Sequence, residues 1–344
     1  MNSADWPSIL GTLSSGQDCS ADQTKAALGD ILAGSATPAQ IAAFIVALRT
    51  KGESVEEIAG LNAAMLAAAV PLQLPPDTID IVGTGGSHTL RGGAFNVSTL
   101  ASIVAAAAGA TVCKHGNRKA SSTSGSTDML EALGVAVDLD AAAVEYCVSE
   151  VALGFCFARV FHPAMRYVAA VRAELGIPTV FNILGPLSHP GHVSRQLLGV
   201  ADPKRVELIA AVLLGRSMQR ALVVHGDDGL DEITTTTTTQ MILIEGDQMT
   251  SMVFEPESVG LQRRSIEDLV VGNPEQNAVV ARAVLAGEHS PHFDLVVVNA
   301  GAGLYVAGEV ESIADGVHAA AVAIESGAAA ETLAELVVAS HHQP

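Results

Sequence analysis

The sequence predicts an α/β fold with a helical domain. Three helix-start signatures come before residue 60, and from residue 78 short β-branched runs alternate with alanine-rich segments. Hydrophobic residues make up 49% of the 344 residues, but aromatic residues only 3%. Small aliphatic side chains of this kind favour helices packed tightly against a sheet, and the length allows about two domains.

The first part of the chain predicts a small helical bundle. Each start signature places a hydroxyl three positions before a side chain that can reach back to cap the helix, as in Ser20-Ala21-Asp22-Gln23, Thr37-Pro38-Ala39-Gln40 and Ser54-Val55-Glu56-Glu57. Prolines within residues 72–77 then interrupt the pattern, because proline removes a backbone donor. We therefore expect a helical domain over residues 1–72 and an α/β domain over residues 77–344.

Four β-branched runs indicate strands of the α/β domain. They are Ile79-Asp80-Ile81-Val82, Ala221-Leu222-Val223-Val224, Met241-Ile242-Leu243-Ile244 and Leu295-Val296-Val297-Val298. Strands that alternate with helices form a largely parallel sheet that is covered on both faces. The threonine tract 234–239 is expected to extend or border a strand, since threonine favours strands.

Charge and composition argue against several classes of protein. The net charge of −19 repels a phosphate backbone, so we expect no nucleic-acid partner. The longest apolar stretch, residues 100–113, is shorter than the roughly 20 residues of a membrane span. The amino terminus lacks a secretory signal, so we expect no membrane association and a cytoplasmic location. The four cysteines show no CxxC pairing and are interpreted as reduced thiols.

A glycine-rich loop is the strongest local signal. Gly83-Thr84-Gly85-Gly86 directly follows a buried strand, and Asn96-Val97-Ser98-Thr99 begins an apolar helix shortly afterwards. Glycine lets backbone amides approach an anion, and a helix start adds unpaired N–H groups. The pattern suits a pyrophosphate, although an ordinary strand-to-helix turn has the same sequence features.

A basic segment follows a further predicted strand, Thr111-Val112-Cys113. Three of the 18 Lys and Arg residues lie in Lys114-His115-Gly116-Asn117-Arg118-Lys119, and the serine-rich residues 121–126 come next. In so acidic a protein this segment would concentrate positive potential on one anionic ligand at the carboxyl end of a strand. The alternative is a solvated surface loop.

Adjacent carboxylates at Asp231-Glu232 offer hard oxygen ligands of the kind that Mg²⁺ prefers. Taken singly, such a pair is better interpreted as surface acidity. Together with the glycine-rich loop and the basic segment, it completes what a metal-bound diphosphate substrate needs.

Two residues of the segment 155–187 are candidates for contact with a ligand. Arg172 lies among apolar neighbours on a predicted helix, where an unpaired guanidinium would be costly to bury. A carboxylate of the protein or of a ligand should therefore meet it. His162 precedes a proline, a position that is more often a loop contact than a catalyst.

These segments, in this order, resemble the motifs of the anthranilate phosphoribosyltransferases. The matching motifs are GTGG, NxST, KHGN, SSxxGSxDxLEALG, HPxM, VRxxLG, FNxLGPL and DE, and they run from about Gly83 to Glu232. The resemblance implies the nucleoside-phosphorylase-like architecture of class IV phosphoribosyltransferases, in which a central helical segment near residues 164–190 joins the amino-terminal helices. It also implies a homodimer formed through the helical domain.

The resemblance implies a role for each matching residue. Phosphoribosyl pyrophosphate would be bound by Gly83, Thr84, Gly85, Gly86, Ser87, Asn96, Ser98, Thr99, Lys114 and Ser122. The anthranilate site would be lined by Gly83, His115, Asn117, His162 and Arg172, with Arg172 facing the carboxylate of anthranilate. Mg²⁺ would be held by Ser98, Asp231 and Glu232, while Lys114, Asn117 and Arg172 would supply positioning and charge stabilisation.

The implied reaction transfers the 5-phosphoribosyl group to the amine of anthranilate and releases pyrophosphate, a step of tryptophan biosynthesis. Attack by the free amine on the anomeric carbon needs no protein nucleophile, and no general base is identified. Preorganised donors that stabilise the departing charge are then the main catalytic contribution.

The sequence departs from the family pattern directly after the glycines. Ser87 replaces the usual aspartate, and the loop of residues 87–95 is longer than usual. We expect His88 or Arg91 to compensate partly for the lost carboxylate. Arg159 also stands where the family commonly has proline.

Three other interpretations stay open. A pyrimidine nucleoside phosphorylase-like enzyme shares the fold and uses phosphate, but the KHGN motif and the Asp231-Glu232 pair disfavour it. A phosphoribosyltransferase with a different aromatic amine acceptor would show the same donor motifs. A non-catalytic relative that binds nucleic acid is disfavoured by the charge of −19.

Overall fold

The computed structural model describes residues 3–87, 89, 90, 93–118 and 125–342. The α-helices, in chain order, are α1 (Trp6–Ser14), α2 (Ala21–Leu32), α3 (Pro38–Lys51), α4 (Val55–Ala67), α5 (Val97–Ala107), α6 (Ser126–Leu133), α7 (Ala141–Val151), α8 (Ala158–Phe161), α9 (Arg166–Leu175), α10 (Phe181–Leu187), α11 (Val206–Leu214), α12 (Pro274–Leu285), α13 (Pro291–Ala307), α14 (Ile313–Glu325) and α15 (Ala328–Ser340). The strands are β1 (Ile79–Gly83), β2 (Val112–Gly116), β3 (Leu153–Phe157), β4 (Arg195–Gly199), β5 (Arg220–Gly226), β6 (Thr239–Glu245) and β7 (Gln248–Phe254).

The chain forms two compact units. The helical unit consists of Met1–Pro71 and Ala158–His192, and the α/β unit consists of Leu72–Phe157 and Val193–Pro344. The second segment of the helical unit includes the region 164–190 that the family resemblance assigned to it.

The predicted helix starts of the helical unit are confirmed. The side chains of Ser20, Thr37 and Ser54 each accept a hydrogen bond from the backbone N–H three residues on, and the backbone N–H of each donates to the side chain of that same residue. Helices α2 and α4 pack closely because Gly60 has no side chain: a Cβ atom there would lie 2.1 Å from the carbonyl oxygen of Ala21. The local signals therefore set the helix ends, and small residues set the packing distance.

A buried carboxylate joins three segments of the helical unit. Glu57, on α4, has no exposed surface. It accepts hydrogen bonds from the backbone N–H of Cys19 at 2.9 Å and of Ser54 at 2.8 Å, and from the ammonium of Lys51 at 2.8 Å. A buried charge is tolerated only when it is paired and hydrogen-bonded in this way.

The α/β unit is built on a seven-stranded sheet with the order β3-β2-β1-β4-β5-β6-β7. The first five strands in that order are parallel, while β6 and β7 add an antiparallel edge. Helices α5 and α13 pack on it and bury a continuous apolar core. The prediction of a largely parallel sheet is confirmed, and the threonine tract borders β6 as expected.

One predicted strand was wrong. Residues 295–298 lie in helix α13, which begins at Pro291 with the Ser290 hydroxyl capping the backbone of Phe293. The run is buried on every side, with Val296 and Val298 both 0% exposed. A helix that is apolar all round has no amphipathic period, so a short β-branched run within it is indistinguishable from a buried strand.

The described residues contain no helix that is long and apolar enough to cross a bilayer. All four cysteines are buried, and no disulfide joins them.

Replacing Glu57 with Gln tests the importance of the buried carboxylate. We expect Glu57→Gln to lower the free energy of unfolding by about 1–3 kcal/mol, because the buried amide loses the charged bond to Lys51, which keeps Asp18 at 2.6 Å as its other partner. Chemical denaturation would measure the loss. Glu56→Gln, at the exposed neighbouring position on α4, should change it by less than about 0.5 kcal/mol. Equal losses in the two variants would contradict this account.

Candidate active site

The glycine-rich loop lies at the point where the strand order of the sheet reverses. From β1 the chain continues through β2 and β3 on one side, whereas β4 and β5 lie on the other. The ends of β1 and β4 are in register, with Gly83 opposite Gly199. Parallel sheets bind ligands in the crevice at such a switch point, beyond the carboxyl ends of the strands.

The loop is anchored to β4 through Thr84. Its backbone N–H donates to the carbonyl of Gly199 at 2.9 Å, and its hydroxyl accepts from the N–H of Ala201 at 3.1 Å. Thr84 therefore fixes the loop on the sheet. The following Gly85 and Gly86 are exposed, with φ values of +66° and +85°, a conformation that L side chains rarely adopt. Ser87 comes next and is half-buried.

Two other glycines make room for the acidic pair. A Cβ atom at Gly83 would lie 2.3 Å from the carboxylate Oδ2 of Asp231, and one at Gly199 would lie 1.8 Å from its carbonyl oxygen. The segment with Asp231 and Glu232 can therefore lie directly across the ends of β1 and β4. Gly199 was not identified from the sequence, although it is the last residue of its strand, as Gly83 is.

Both carboxylates of the pair lie against elements predicted to bind the diphosphate. Asp231 accepts from the N–H of Gly85 at 2.6 Å. The Glu232 carboxylate lies near the backbone N–H of Ser98, in the first turn of α5, and this N–H favours its charged form. Burial raises the pKa of Asp231, and burial followed by repulsion from Asp231 raises the pKa of Glu232 further. Two carboxylates held in such surroundings attract a cation.

Lys114 brings a positive charge to the same place. It is 2% exposed, and its Nζ donates to the carbonyl of Ile81 on β1 at 2.6 Å. Burial lowers the pKa of Lys114, and the carboxylates of Asp80, Glu232 and Asp231 act in the opposite direction. The structure thus brings Gly85, Lys114 and Glu232 together, as the sequence interpretation requires.

The start of α5 carries three of the residues predicted to contact phosphate. Asn96 and Ser98 are partly exposed, and the backbone of Asn96 is held by the side chain of Asn277 at 3.0 Å. Thr99 is fully buried, and its hydroxyl has no hydrogen-bond partner among the described residues. Thr99 therefore faces the core in this structure. Asn277, on α12, was not identified from the sequence because nothing near it indicates a ligand.

The basic segment contributes less charge than its composition suggests. Arg118 forms salt bridges with Glu131 at 2.6 Å and Asp128 at 3.2 Å, and its guanidinium lies over the ring of Phe157. The expectation that the whole segment concentrates its charge on one anion was wrong for this residue, since two carboxylates of α6 neutralise it. Lys119 and Ser122 lie outside the described residues, as do His88 and Arg91.

The turn after β2 is fixed by one hydroxyl. Ser126 Oγ accepts from the N–H of Asn117 at 3.2 Å and donates to the carbonyl of Asn117 at 3.1 Å. A Cβ atom at Gly116 would lie 2.6 Å from Ser126 Oγ. His115 is buried, whereas Asn117 is exposed. Of the two, Asn117 is the side chain accessible from solvent.

The two remaining candidates lie in the helical unit. His162 is 5% exposed, and burial lowers its pKa to about 4, so the imidazole is neutral at pH 7. Arg172 is half-buried in the last turn of α9 with its guanidinium over the ring of Phe181 at 5.3 Å. Burial lowers the pKa of Arg172, and no described carboxylate forms a salt bridge with it. Of the two partners expected from the sequence, a protein carboxylate is therefore not found among the described residues.

Comparison with known proteins agrees with this geometry. Residues 75–330 match the glycosyl transferase family a/b domain, and residues 7–69 match the helical bundle domain of the same family. Anthranilate phosphoribosyltransferases from Nocardioides sp. and Methylorubrum populi are each 48% identical to this chain, over 97% and 96% of its length and 98% of their own.

Two solved structures extend the similarity to the fold. Anthranilate phosphoribosyltransferase from Thermus thermophilus matches with a TM-score of 0.90 and 41% identity over 97% of this chain and 99% of that one. The Saccharomyces cerevisiae protein, in complex with phosphoribosyl pyrophosphate and Mg, matches with a TM-score of 0.87 and 28% identity over 97% of both chains. With relatives this similar over nearly its whole length, the chain belongs to the anthranilate phosphoribosyltransferase family.

Proposed function

We propose that this chain transfers the 5-phosphoribosyl group of phosphoribosyl pyrophosphate to the amine of anthranilate in tryptophan biosynthesis. The observation that carries the proposal is the gathering of a carboxylate pair, a buried ammonium and a glycine-rich loop at one switch point of the sheet. The names of the relatives support it, as do solved structures of the yeast protein in complex with phosphoribosyl pyrophosphate and Mg and with 4-fluoroanthranilate.

The diphosphate would bind over the exposed loop of Gly85 and Gly86. Their conformation leaves open space where side chains would stand, so backbone N–H groups can approach phosphate oxygens. Lys114 supplies the opposite charge. The residues proposed to complete this contact are Gly83, Thr84, Ser87, Asn96, Ser98 and Ser122, whereas the side chain of Thr99 is buried in the core and is left out of it.

The acidic pair fits a magnesium ion. Asp231 and Glu232 offer adjacent hard oxygen donors, and burial together with their mutual repulsion raises the pKa of Glu232, so a cation would relieve an unfavourable arrangement. We propose that these two residues, with the hydroxyl of Ser98, hold Mg²⁺. The chemistry supplied by a bound Mg²⁺ is neutralisation of the charge that develops on pyrophosphate.

The acceptor would be held by its carboxylate. Arg172 is a half-buried guanidinium without a salt bridge to any described carboxylate, which is costly unless a ligand supplies one. His115, Asn117, His162 and Gly83 are the other residues proposed to line anthranilate. Neutral imidazole at His162 would not repel a neutral aromatic amine or protonate it.

The chain's own residues would act mainly by positioning. The loop amides and Lys114 bind the diphosphate, and Arg172 orients the acceptor so that its amine faces the anomeric carbon. An aniline nitrogen attacks as the free base, so no residue has to remove a proton before the C–N bond forms and the bond to pyrophosphate breaks. The extra proton on the nitrogen would then pass to the released pyrophosphate or to water. Orientation of two bound reactants can supply a large share of the rate.

The chain is also proposed to act as a cytoplasmic homodimer formed through the helical unit. Exposed apolar side chains of that unit support this, including Val46, Val55, Tyr167 and Ile177, each 36–42% exposed. Four buried cysteines that form no disulfide are consistent with a reducing compartment.

Neutralising the acidic pair should abolish most of the activity. We expect Asp231→Asn and Glu232→Gln each to lower kcat/KM by about 100- to 1,000-fold, because stabilisation of the departing pyrophosphate is lost. The assay follows the fluorescence of anthranilate as it is consumed with phosphoribosyl pyrophosphate and Mg²⁺. Asp247→Asn, at an exposed turn, is the matched control and should be unaffected. No turnover by the parent protein at any magnesium concentration would refute the proposed function.

Removing the guanidinium of Arg172 should affect one substrate only. Arg172→Ala is expected to raise the KM for anthranilate by about 10- to 100-fold, the effect of losing about 1.5–3 kcal/mol from a hydrogen bond between charged groups. The KM for phosphoribosyl pyrophosphate should change little. Arg166→Ala, on the same helix, serves as the control. A KM increase for the phosphoribosyl donor alone would place Arg172 at the other substrate.

The quaternary structure can be tested by mass. Light scattering on a sizing column should give twice the 35.2 kDa of one chain. A charge at the exposed helical face, as in Val46→Glu, should shift the mass toward one chain, because a buried unpaired charge opposes association. Val253→Glu, on the exposed edge strand β7, should leave it unchanged. A monomeric parent protein would contradict this part of the proposal.

A further inference from the structure

Asp80 is a buried carboxylate beneath the site that has no assigned role. It lies on β1, three residues before Gly83, and is 0% exposed. A carboxylate in the centre of a parallel sheet is unfavourable unless several partners compensate for the lost water. The partners of Asp80 therefore indicate why it is there.

Its carboxylate links the strands on both sides of β1. Oδ1 accepts from the backbone N–H of His115 on β2 at 3.0 Å, and Oδ2 accepts from Nε2 of Gln196 on β4 at 3.1 Å. Gln196 is itself 1% exposed. Asp80 thus bonds to a backbone group of one neighbouring strand and to a side chain of the other.

The backbone pairing of β1 differs on its two sides. It pairs with β4 at five positions, from Ile79 to Gly83, but with β2 at Ile79 alone. Beyond that position two side chains connect β1 and β2: the Asp80 carboxylate accepts from His115, and the Lys114 ammonium donates to the carbonyl of Ile81. Side chains therefore replace main-chain bonds where these strands approach the site.

The charges of Asp80 and Lys114 also interact. Lys114 is 2% exposed, and among the groups that favour its charged form Asp80 acts most strongly, ahead of Glu232 and Asp231. The latter two are the proposed ligands of Mg²⁺, so their charge would be taken up when substrate binds. In the loaded site the diphosphate meets Lys114, and Asp80 remains as the nearby protein carboxylate that no metal would engage.

We propose that Asp80 is a positioning residue of the transferase: by accepting the N–H of the peptide between Lys114 and His115 at 3.0 Å, it fixes β2 across the gap from β1 and so places Lys114 where the diphosphate binds. The proposal rests on the proposed function. It differs from a purely structural role because the effect of Asp80 on diphosphate binding has to pass through Lys114.

A double-mutant cycle between these residues separates the two roles. Asp80→Asn keeps the shape of the side chain and one acceptor oxygen, and is expected to raise the Kd for pyrophosphate with Mg²⁺ by about ten-fold or more, with the KM for anthranilate unchanged. In a Lys114→Met background the same substitution should change that Kd by less than about two-fold, since contacting residues are not additive. Calorimetry gives the Kd without turnover. Gln196→Leu, which removes a neutral partner of the same carboxylate, should leave the Kd within about two-fold.

The outcomes distinguish a positioning role of Asp80 from a purely structural one. Equal effects of Asp80→Asn with and without Lys114, or an unchanged Kd in a folded Asp80→Asn protein, would overturn the proposal.

If Asp80→Asn does not fold, the double variant Asp80→Asn/Lys114→Met must melt at a higher temperature than either single variant, because it removes both charges together. A double variant that is no more stable would equally overturn it. A parent protein that binds no pyrophosphate with Mg²⁺ would refute the proposed function, while the melting comparison still tests the pairing of Asp80 and Lys114.

Discussion

The close approach of Asp231 to the carboxyl ends of β1 and β4 is the constraint on which the site depends. Neither Gly83 nor Gly199 could carry a Cβ atom without colliding with Asp231. Because both strands end in glycine, the acidic segment lies over the switch point, where Asp231 reaches Gly85 and Glu232 reaches the start of α5. A side chain at either glycine would push the carboxylates away from the loop and the helix that they connect.

The charged side chains near Asp231 suit a ligand that carries both a metal ion and phosphate groups. Two carboxylates whose pKa values are raised by burial lie near a buried ammonium whose pKa is lowered by it. Each of these groups is less favourable in the absence of ligand than it would be in water. A metal-bound diphosphate offers the cation that the carboxylates lack and the anion that the ammonium lacks, so binding compensates both. Pre-arranged charges of this kind cost no reorganisation during reaction.

Much of the fold followed from local chemistry, and the exceptions have physical causes. The capping boxes at Ser20, Thr37 and Ser54 were predicted because a helix start is decided within four residues. The strand predicted at residues 295–298 was wrong because complete burial removes the helical period. Strands β3, β4 and β7 were not predicted: β3 and β4 are five residues long and have no β-branched side chain, and β7 is mostly exposed and mixes polar with apolar residues.

The site was predictable where residues lie together in sequence and not where the fold brings them together. The glycine loop, Lys114 and the acidic pair were identified from their motifs. The neutralisation of Arg118 by Asp128 and Glu131 was missed, because a count of nearby charges does not show which ones pair. Asn277, Gly199 and the bonds of Asp80 depend on strands and helices distant in sequence, so no local pattern indicates them.

The most direct test of the central claim is the position of the metal. Crystals grown with phosphoribosyl pyrophosphate and Mn²⁺ in place of Mg²⁺ would show the ion by its anomalous scattering. The account predicts a peak within coordination distance of the Asp231 and Glu232 carboxylates, with the diphosphate over Gly85 and Gly86 and beside Lys114. A metal and diphosphate bound elsewhere on the chain, with the acidic pair uncoordinated, would contradict it.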